Sequence, residues 1–387
     1  MSGTTLVAPY HYAWSKGNTS AYAIHDIQTA VQKMNVKAVT FCFAIGDGQG
    51  GLWGTFKDIL PDIKWFVDQG GYPIVSFGGA SGPFLEATTT EESLYQIMKN
   101  ILDTTGCRAF DFDVEGAAVP DAEANTKRNK VMVRLQKEYP DLYCSFTLPV
   151  GSPQWDPLPP MVLDLIKTTT SAGVRVDCWN FMLMDTYQTG AVNWGDNSIL
   201  ILEKIKMQLK PLFPNKTDAE ILSMLGATPM IGVQDDKTIF TLDDARKLTD
   251  YVIKNKLRLL SWWSLQRDQK NQSGGLPVSS MITQNDLDFW NIFKTAHNTS
   301  IPVPAPAPVP APVPAPAPAP VPAPAPTPVP APAPTPVPSP VPDTSSFPTF
   351  VKVPVPSELQ TCQCVNMRVK LVFKRDGSYE VSSWVRN

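Results

Sequence analysis

The sequence predicts an α/β fold, a (β/α)8 TIM barrel, and three observations predict it. Eight short β-branched or aromatic runs occur in order over about the first 300 of the 387 residues. Segments with apolar residues at helical spacing lie between them. Strand–helix alternation of this kind argues for a parallel sheet with helices outside, and eight repeats over this length suit a closed barrel better than an open sheet.

The strand runs fall near Leu6–Trp14, Ala38–Ile45, Tyr72–Gly78, Arg108–Glu115, Leu142–Val150, Arg175–Met184, Thr228–Gln234 and Leu257–Leu265. Ile24, Ile27, Val31 and Met34 keep helical spacing after the first run. Leu94, Ile97 and Ile101 do so after the third, Val131 and Leu135 after the fourth, and Ala245, Leu248 and Val252 after the seventh. The stretch Asn193–Leu225 holds more than one helix and reads as an insertion around the sixth repeat.

The barrel is assigned to residues 1–300. Residues 301–342 form a Pro-Ala-Pro linker, with proline at every even position from Pro302 to Pro342. Half of such a segment lacks an N–H, so it cannot build helix or sheet. It should adopt polyproline II at about 3.1 Å per residue, on the order of 120 Å if straight. Residues 343–387 read as a small, β-rich unit. There Met367–Phe373 and Tyr379–Val385 alternate and flank Asp376-Gly377, a strong hairpin signal. Phe373, Tyr379 and Trp384 are either its core or a carbohydrate-gripping face, so its expected partner is a polysaccharide or a protein.

A formal net charge of -3 and a pI of about 5.7 give no nucleic-acid or anionic-membrane footprint. No apolar run reaches the ~20 residues of a membrane span. Cys42, Cys107, Cys144 and Cys178 sit in apolar strand candidates and are expected as reduced core thiols. Cys362 and Cys364 are too closely spaced for a Cys-x-x-Cys loop. His11, His25 and His297 have no pairing that suggests catalysis, and three histidines make a zinc site an unattractive reading.

The fourth run carries the chemistry. Asp111, Asp113 and Glu115 alternate with Phe110, Phe112 and Val114. A strand sends alternate side chains to opposite faces, so the three carboxylates share one face. Neighbouring same-face residues lie ~6.5 Å apart. In a barrel of this type, reacting groups sit at the C-terminal ends of the strands. Two anions in a partly dry cleft disfavour each other, and one proton is retained near neutrality. Glu115, nearest the mouth, can present that proton, and Asp113 can be the orienting anion. Asp111 would hold a deeper hydrogen-bond network. On spacing alone, a metal-binding carboxylate cluster stays a rival to this acid/base reading.

Arg108–Glu115 resembles the signature of glycoside hydrolase family 18, Asp-Gly-x-Asp-x-Asp-x-Glu, although Arg108 and Ala109 replace the opening pair. Ser76-Phe77-Gly78-Gly79 resembles the family's third-strand Ser-x-Gly-Gly, and Asn180–Asp185 its sixth-strand motif. Pro229–Asp235 and Leu260–Asp268 resemble the last two strands of the chitinase D-like branch. The likeness runs from about Val7 to Asp268.

The resemblance implies a retaining, substrate-assisted chitinase acting on β-1,4-linked N-acetylglucosamine polymers or oligosaccharides, with no metal and no cofactor. It implies Glu115 as acid/base, Asp113 as the residue steering the substrate's acetamido group, and Asp111 behind them. It implies Trp263 as the floor under the reacting sugar, with Trp262 in the core. Asp185, Met182, Gln234 and Met184 would line the site, Met184 standing where many members keep Tyr. Tyr187 is the candidate to replace that tyrosine, and Trp53, Trp155 and Trp194 are candidate platforms for neighbouring sugars. Two alternatives share the signature: an endo-β-N-acetylglucosaminidase acting on N-glycans, and a silent chitin-binding lectin. No secretory signal is visible at Met1–Thr5. The expectation is therefore synthesis in the cytosol and action on extracellular or cell-wall chitin after release by lysis, by a non-classical route, or in a viral setting.

Overall fold

The structure is a computed structural model. It describes residues 5–188, 192–270 and 274–297, and the backbone of two further strands. The chain falls into two units, Met1–Ala311 and Pro312–Asn387.

The first unit is the barrel. Its first strand comes in two pieces, Leu6–Val7 and Tyr10–Tyr12, either side of Ala8-Pro9. The others are Ala38–Ala44, Tyr72–Gly78, Ala109–Asp113, Tyr143–Pro149, Cys178–Leu183, Leu225–Pro229 and Leu259–Leu260. They pair in parallel and in sequence order. The first strand closes the ring, pairing with the eighth through Leu6 and Val7 and with the second through Tyr10–Tyr12.

Helices cover the outside. Ile27–Met34, Glu91–Thr105, Ala122–Glu138 and Leu242–Asn255 carry the apolar spacings read from sequence. Each follows a capping residue whose side-chain oxygen accepts a backbone N–H three positions on: Asp26, Thr90, Asp121 and Thr241. The insertion holds two helices, Trp194–Leu209 and Asp218–Leu222.

Two strand boundaries differ from expectation. The seventh strand is Leu225–Pro229, not Thr228–Gln234. Leu225-Gly226-Ala227 is too poor in β-branched residues to read as a strand. A Cβ at Gly226 would stand 2.6 Å from Asn180 Oδ1, so glycine is what lets this segment lie against the sixth strand. Gly232–Val233, expected within that strand, instead pairs antiparallel with Ile239–Phe240. The fourth strand ends at Asp113, and Glu115 follows it in extended backbone before a short helical turn at Gly116–Ala118.

The barrel interior is layered. Leu6, Ala8, Ala38, Ile74, Ala109, Tyr143, Cys178 and Leu259 form an apolar plug at the bottom. Two residues further along each strand the side chains turn polar: Thr40, Ser76, Asp111, Ser145 and Asn180. Two further still lies the site. On the opposite face Phe77, Phe110, Phe112, Phe146 and Trp179 form an aromatic band under the helices, with ring centroids 5.0–5.5 Å apart. The four barrel cysteines are free and buried.

In the second unit, Met367–Phe373 pairs antiparallel with Tyr379–Arg386, as the alternation predicted. The linker, the turn at Asp376-Gly377, Cys362 and Cys364 lie outside the described residues, as do the side chains of Phe373, Tyr379 and Trp384.

Candidate active site

Alternation along the fourth strand puts Asp111 and Asp113 inside the barrel and Phe110 and Phe112 outside it. Asp111 is 2% exposed and sits in a cage of hydroxyls. Ser76 donates to its Oδ2 at 2.7 Å and Ser145 to its Oδ1 at 2.7 Å. Thr147 Oγ1 lies 2.9 Å from Oδ1, and the Tyr10 hydroxyl 3.0 Å from Oδ2. Burial pushes the Asp111 carboxyl up, and these hydroxyls pull it back. Thr147 passes the network on: Asn180 Nδ2 donates to Thr147 at 2.9 Å and to Thr228 at 2.7 Å.

Asp113 lies one layer higher. Burial pushes its carboxyl well above the ordinary range, and the charges of Glu115 and Asp111 add to this. Glu115 stands at the rim. Burial raises its carboxyl to about 7, a hydrogen bond with Asp113 opposes the shift, and the charge of Asp185 adds to it. The two carboxyls titrate as a pair that retains a proton near neutrality.

The backbone at Gly78 makes room for the pair. Its φ is +103°, and a Cβ there would stand 2.0 Å from the carbonyl oxygen of Asp113. Gly79 N–H donates to that same carbonyl at 2.9 Å. The third-strand glycines thus clamp the residue between acid and cage.

Asp113 and Glu115 face a cavity of about 180 Å³ at the C-terminal mouth of the barrel. Met182 lines it from the sixth strand, Met184 and Asp185 from just beyond that strand, and Trp263 from just beyond the eighth. Trp263 stacks on Phe43 with centroids 5.7 Å apart and planes 14° apart, and Tyr10 and Tyr12 brace its other sides. Trp262 points the other way, fully buried, with its ring 4.8 Å from Phe293. A larger groove of about 630 Å³ between the helices Ala122–Glu138 and Pro160–Ser171 has a single carboxylate, Asp164, in its lining.

A known structure decides the family. Active domain 2 of a chitinase from Pyrococcus furiosus, solved as catalytic-site mutants, is 30% identical to this chain with a TM-score of 0.67, covering 77% of this chain and 97% of its own. The chain belongs to the family 18 chitinases. A second structure of that Pyrococcus furiosus domain, in complex with chito-oligosaccharides, is 31% identical with a TM-score of 0.66 and covers 76% of this chain and 94% of its own. Among curated relatives, a probable bifunctional chitinase/lysozyme of Escherichia coli is 30% identical over 284 residues, and endochitinase 11 of Metarhizium anisopliae is 29% identical over 281. Each match takes in 66% of this chain; the chain spans 31% of the first relative and 53% of the second. Profile models of known families give no match to the chain.

Five residues expected at or beside the site are not in the lining of this cavity. Trp53 packs against the hydrophobic core ahead of the short helix Gly54–Lys57 and does not line the cavity. Gln234 is fully buried behind it, and its Oε1 accepts the Asp185 N–H at 2.8 Å. Gln234 therefore holds Asp185 instead of facing the cavity. Tyr187 is 77% exposed and outside the lining, so it does not take the place left by Met184. Trp194 is buried at the start of its helix, donating through Nε1 to Thr238 at 2.9 Å. Trp155 is 75% exposed on the loop after the fifth strand.

Sequence reasoning passed over Tyr10, Phe43, Thr147, Met230 and Asp235, all of which line the cavity. Tyr10 and Phe43 sit on recognised strands, but alternation alone does not say which parity faces inward. Asp235 follows the residue taken as the polar contact, and the sharp turn at Gly232, φ +75°, carries it to the cavity in place of Gln234.

Proposed function

We propose that this chain is a retaining, substrate-assisted chitinase that hydrolyses β-1,4-linked N-acetylglucosamine polymers. The observation that carries the reading is that Asp113, Glu115 and Trp263 line one cavity at the C-terminal mouth of the barrel. The chito-oligosaccharide complex of the Pyrococcus furiosus domain supports the substrate class.

Glu115 gives its proton to the glycosidic oxygen as the bond to the anomeric carbon breaks. The acetamido oxygen of the same sugar, steered by Asp113, bonds to that carbon and forms an oxazolinium. Water then attacks the anomeric carbon and loses its proton to Glu115, which restores the starting form. Two displacements retain the configuration, and no protein nucleophile is needed. Trp263 offers its flat apolar face to the apolar face of the sugar ring. Met182 and Met184 supply an apolar wall, Asp185 a polar contact, and Asp111 keeps Asp113 in place from below.

Incubation with chitin oligomers and with the fully deacetylated oligomers tests this. Cleavage of the first and not the second supports the reading. Equal cleavage of both would remove the acetamido group from the mechanism.

A further inference from the structure

Glu115 is placed by the residues on either side of it. The fourth strand ends at Asp113, and Val114 N–H donates to the Thr147 carbonyl at 3.0 Å. Glu115 then opens the helical turn Gly116–Ala118. Its own carbonyl accepts the Ala118 N–H at 3.1 Å, and the Gly116 carbonyl accepts the Val119 N–H at 3.3 Å. Gly116 and Ala117 are exposed, so packing holds that part of the turn weakly. Among the described residues, the side-chain hydrogen bonds that reach the turn come from Asn125 on the helix Ala122–Glu138. Its Nδ2 donates to the Val119 carbonyl at 2.9 Å and lies 3.4 Å from that of Ala118.

Asn125 is itself gripped. Arg128 Nη2 donates to Asn125 Oδ1 at 2.6 Å, and Arg128 Nη1 donates to Glu86 Oε1 at 3.0 Å. All three residues are buried. Glu86 comes from the short helix Leu85–Thr88 beyond the third strand. Lys127 ties down the same segment, donating to the carbonyls of Glu86 at 2.8 Å and Thr89 at 2.7 Å. The Arg128 guanidinium lies over Phe112 and Phe146, 5.4 and 5.0 Å from the ring centroids. Phe112 is the residue between Asp111 and Asp113. A buried ion pair adds little net stability over apolar residues that pack as well. What an apolar side chain lacks is the planar fork that reaches two oxygens at once. Here the fork links the segment beyond the third strand to the helix and, through Asn125, to the turn behind Glu115.

We propose that Asn125, held by Arg128 and Glu86, is a positioning residue for the acid: it fixes the turn Gly116–Val119 and thereby the place of the Glu115 carboxyl at the cavity rim. The proposal rests on the reading of Glu115 as proton donor and deepens it. Asn125 does not line the cavity, so it acts on the acid and leaves the sugar-binding wall as it is.

The test is kcat and KM on a chitin oligomer, with the melting temperature, for the parent, Asn125→Asp and Asn125→Ser. Asn125→Asp keeps an oxygen for Arg128 but turns an oxygen, in place of the donor, on the Val119 carbonyl. Asn125→Ser is too short to span from Arg128 to the turn. In both, kcat should fall about ten- to a hundredfold, the scale of a misplaced reacting group, while KM stays within about twofold. A merely structural role would lower the melting temperature and leave kcat of the folded variant within about twofold of the parent. That result, or a raised KM with kcat unchanged, overturns the proposal. Should both variants fail to fold, amide exchange of the parent decides. The Ala118 and Val119 amides must then exchange at least about tenfold more slowly than unstructured amides, and exchange at the unstructured rate overturns the proposal. Full activity in Glu115→Gln would instead sink the functional reading, a separate outcome.

Discussion

Glu115 and Asp113, two residues apart at the end of the fourth strand, face one cavity, while Asp111 below them is spent on four hydroxyls. One strand thus carries three carboxyls in three electrostatic settings. The deepest is caged, the middle one is pushed far up by burial and its neighbours, and the outermost is poised near neutrality.

Glu115→Gln keeps the shape of the side chain and removes the proton. Its kcat should fall about 10²- to 10⁴-fold, the usual weight of a positioned general acid. Binding of a chitin oligomer, measured by calorimetry, should persist.

The pair also sets a pH dependence of stability. A carboxyl raised in the folded state binds its proton more tightly there than in the unfolded chain. Its contribution is therefore fully present below the unfolded value, near 4.5, and is lost as pH rises through the folded value of about 7. Glu115→Gln and Asp113→Asn should melt higher than the parent at pH 8, and the gain should shrink at pH 5. Thermal unfolding at the two pH values checks this.

Trp262 and Trp263 make a controlled comparison, being adjacent in sequence and opposite in facing. Trp262→Ala empties the core beside Phe293 and should cost about 3–5 kcal/mol of stability. Trp263 is partly exposed, so Trp263→Ala should cost less stability than Trp262→Ala but lose about ten- to a hundredfold in kcat/KM, the equivalent of roughly 1.5–3 kcal/mol of apolar contact.

Asp111→Ala leaves Ser76, Ser145, Thr147 and Tyr10 hydroxyls buried without their acceptor. Each stranded group costs about 1–3 kcal/mol. The variant should unfold at markedly lower denaturant and have little activity, whereas Tyr187→Phe, altering an exposed ring outside the cavity, should change kcat/KM by less than about twofold.

Much of this was legible in the sequence because one rule, alternation along a strand, fixes several things at once. Position by position, Ala109, Asp111 and Asp113 spell plug, cage and site. Ile74, Ser76 and Gly78 repeat the pattern on the next strand. The faces of Trp262 and Trp263 follow from the same rule. What escaped lies where the rule stops. Trp53, Gln234 and Tyr187 all follow strand ends, where a turn and not a pleat aims the side chain. The turn at Gly232 exchanges Gln234 for Asp235, and no spacing in the sequence encodes that. Tyr10 escaped for another reason: it keeps the parity of Leu6 and Ala8, but alternation in that run does not say which parity faces inward.

The most direct measurement is the anomeric form of the first product. Proton NMR of a chitin oligomer, recorded in the first minutes of hydrolysis, should show the β-anomer ahead of its mutarotation to α. An α-anomer appearing first would mean a single displacement by water, and Glu115 working with the substrate's own acetamido group would be ruled out.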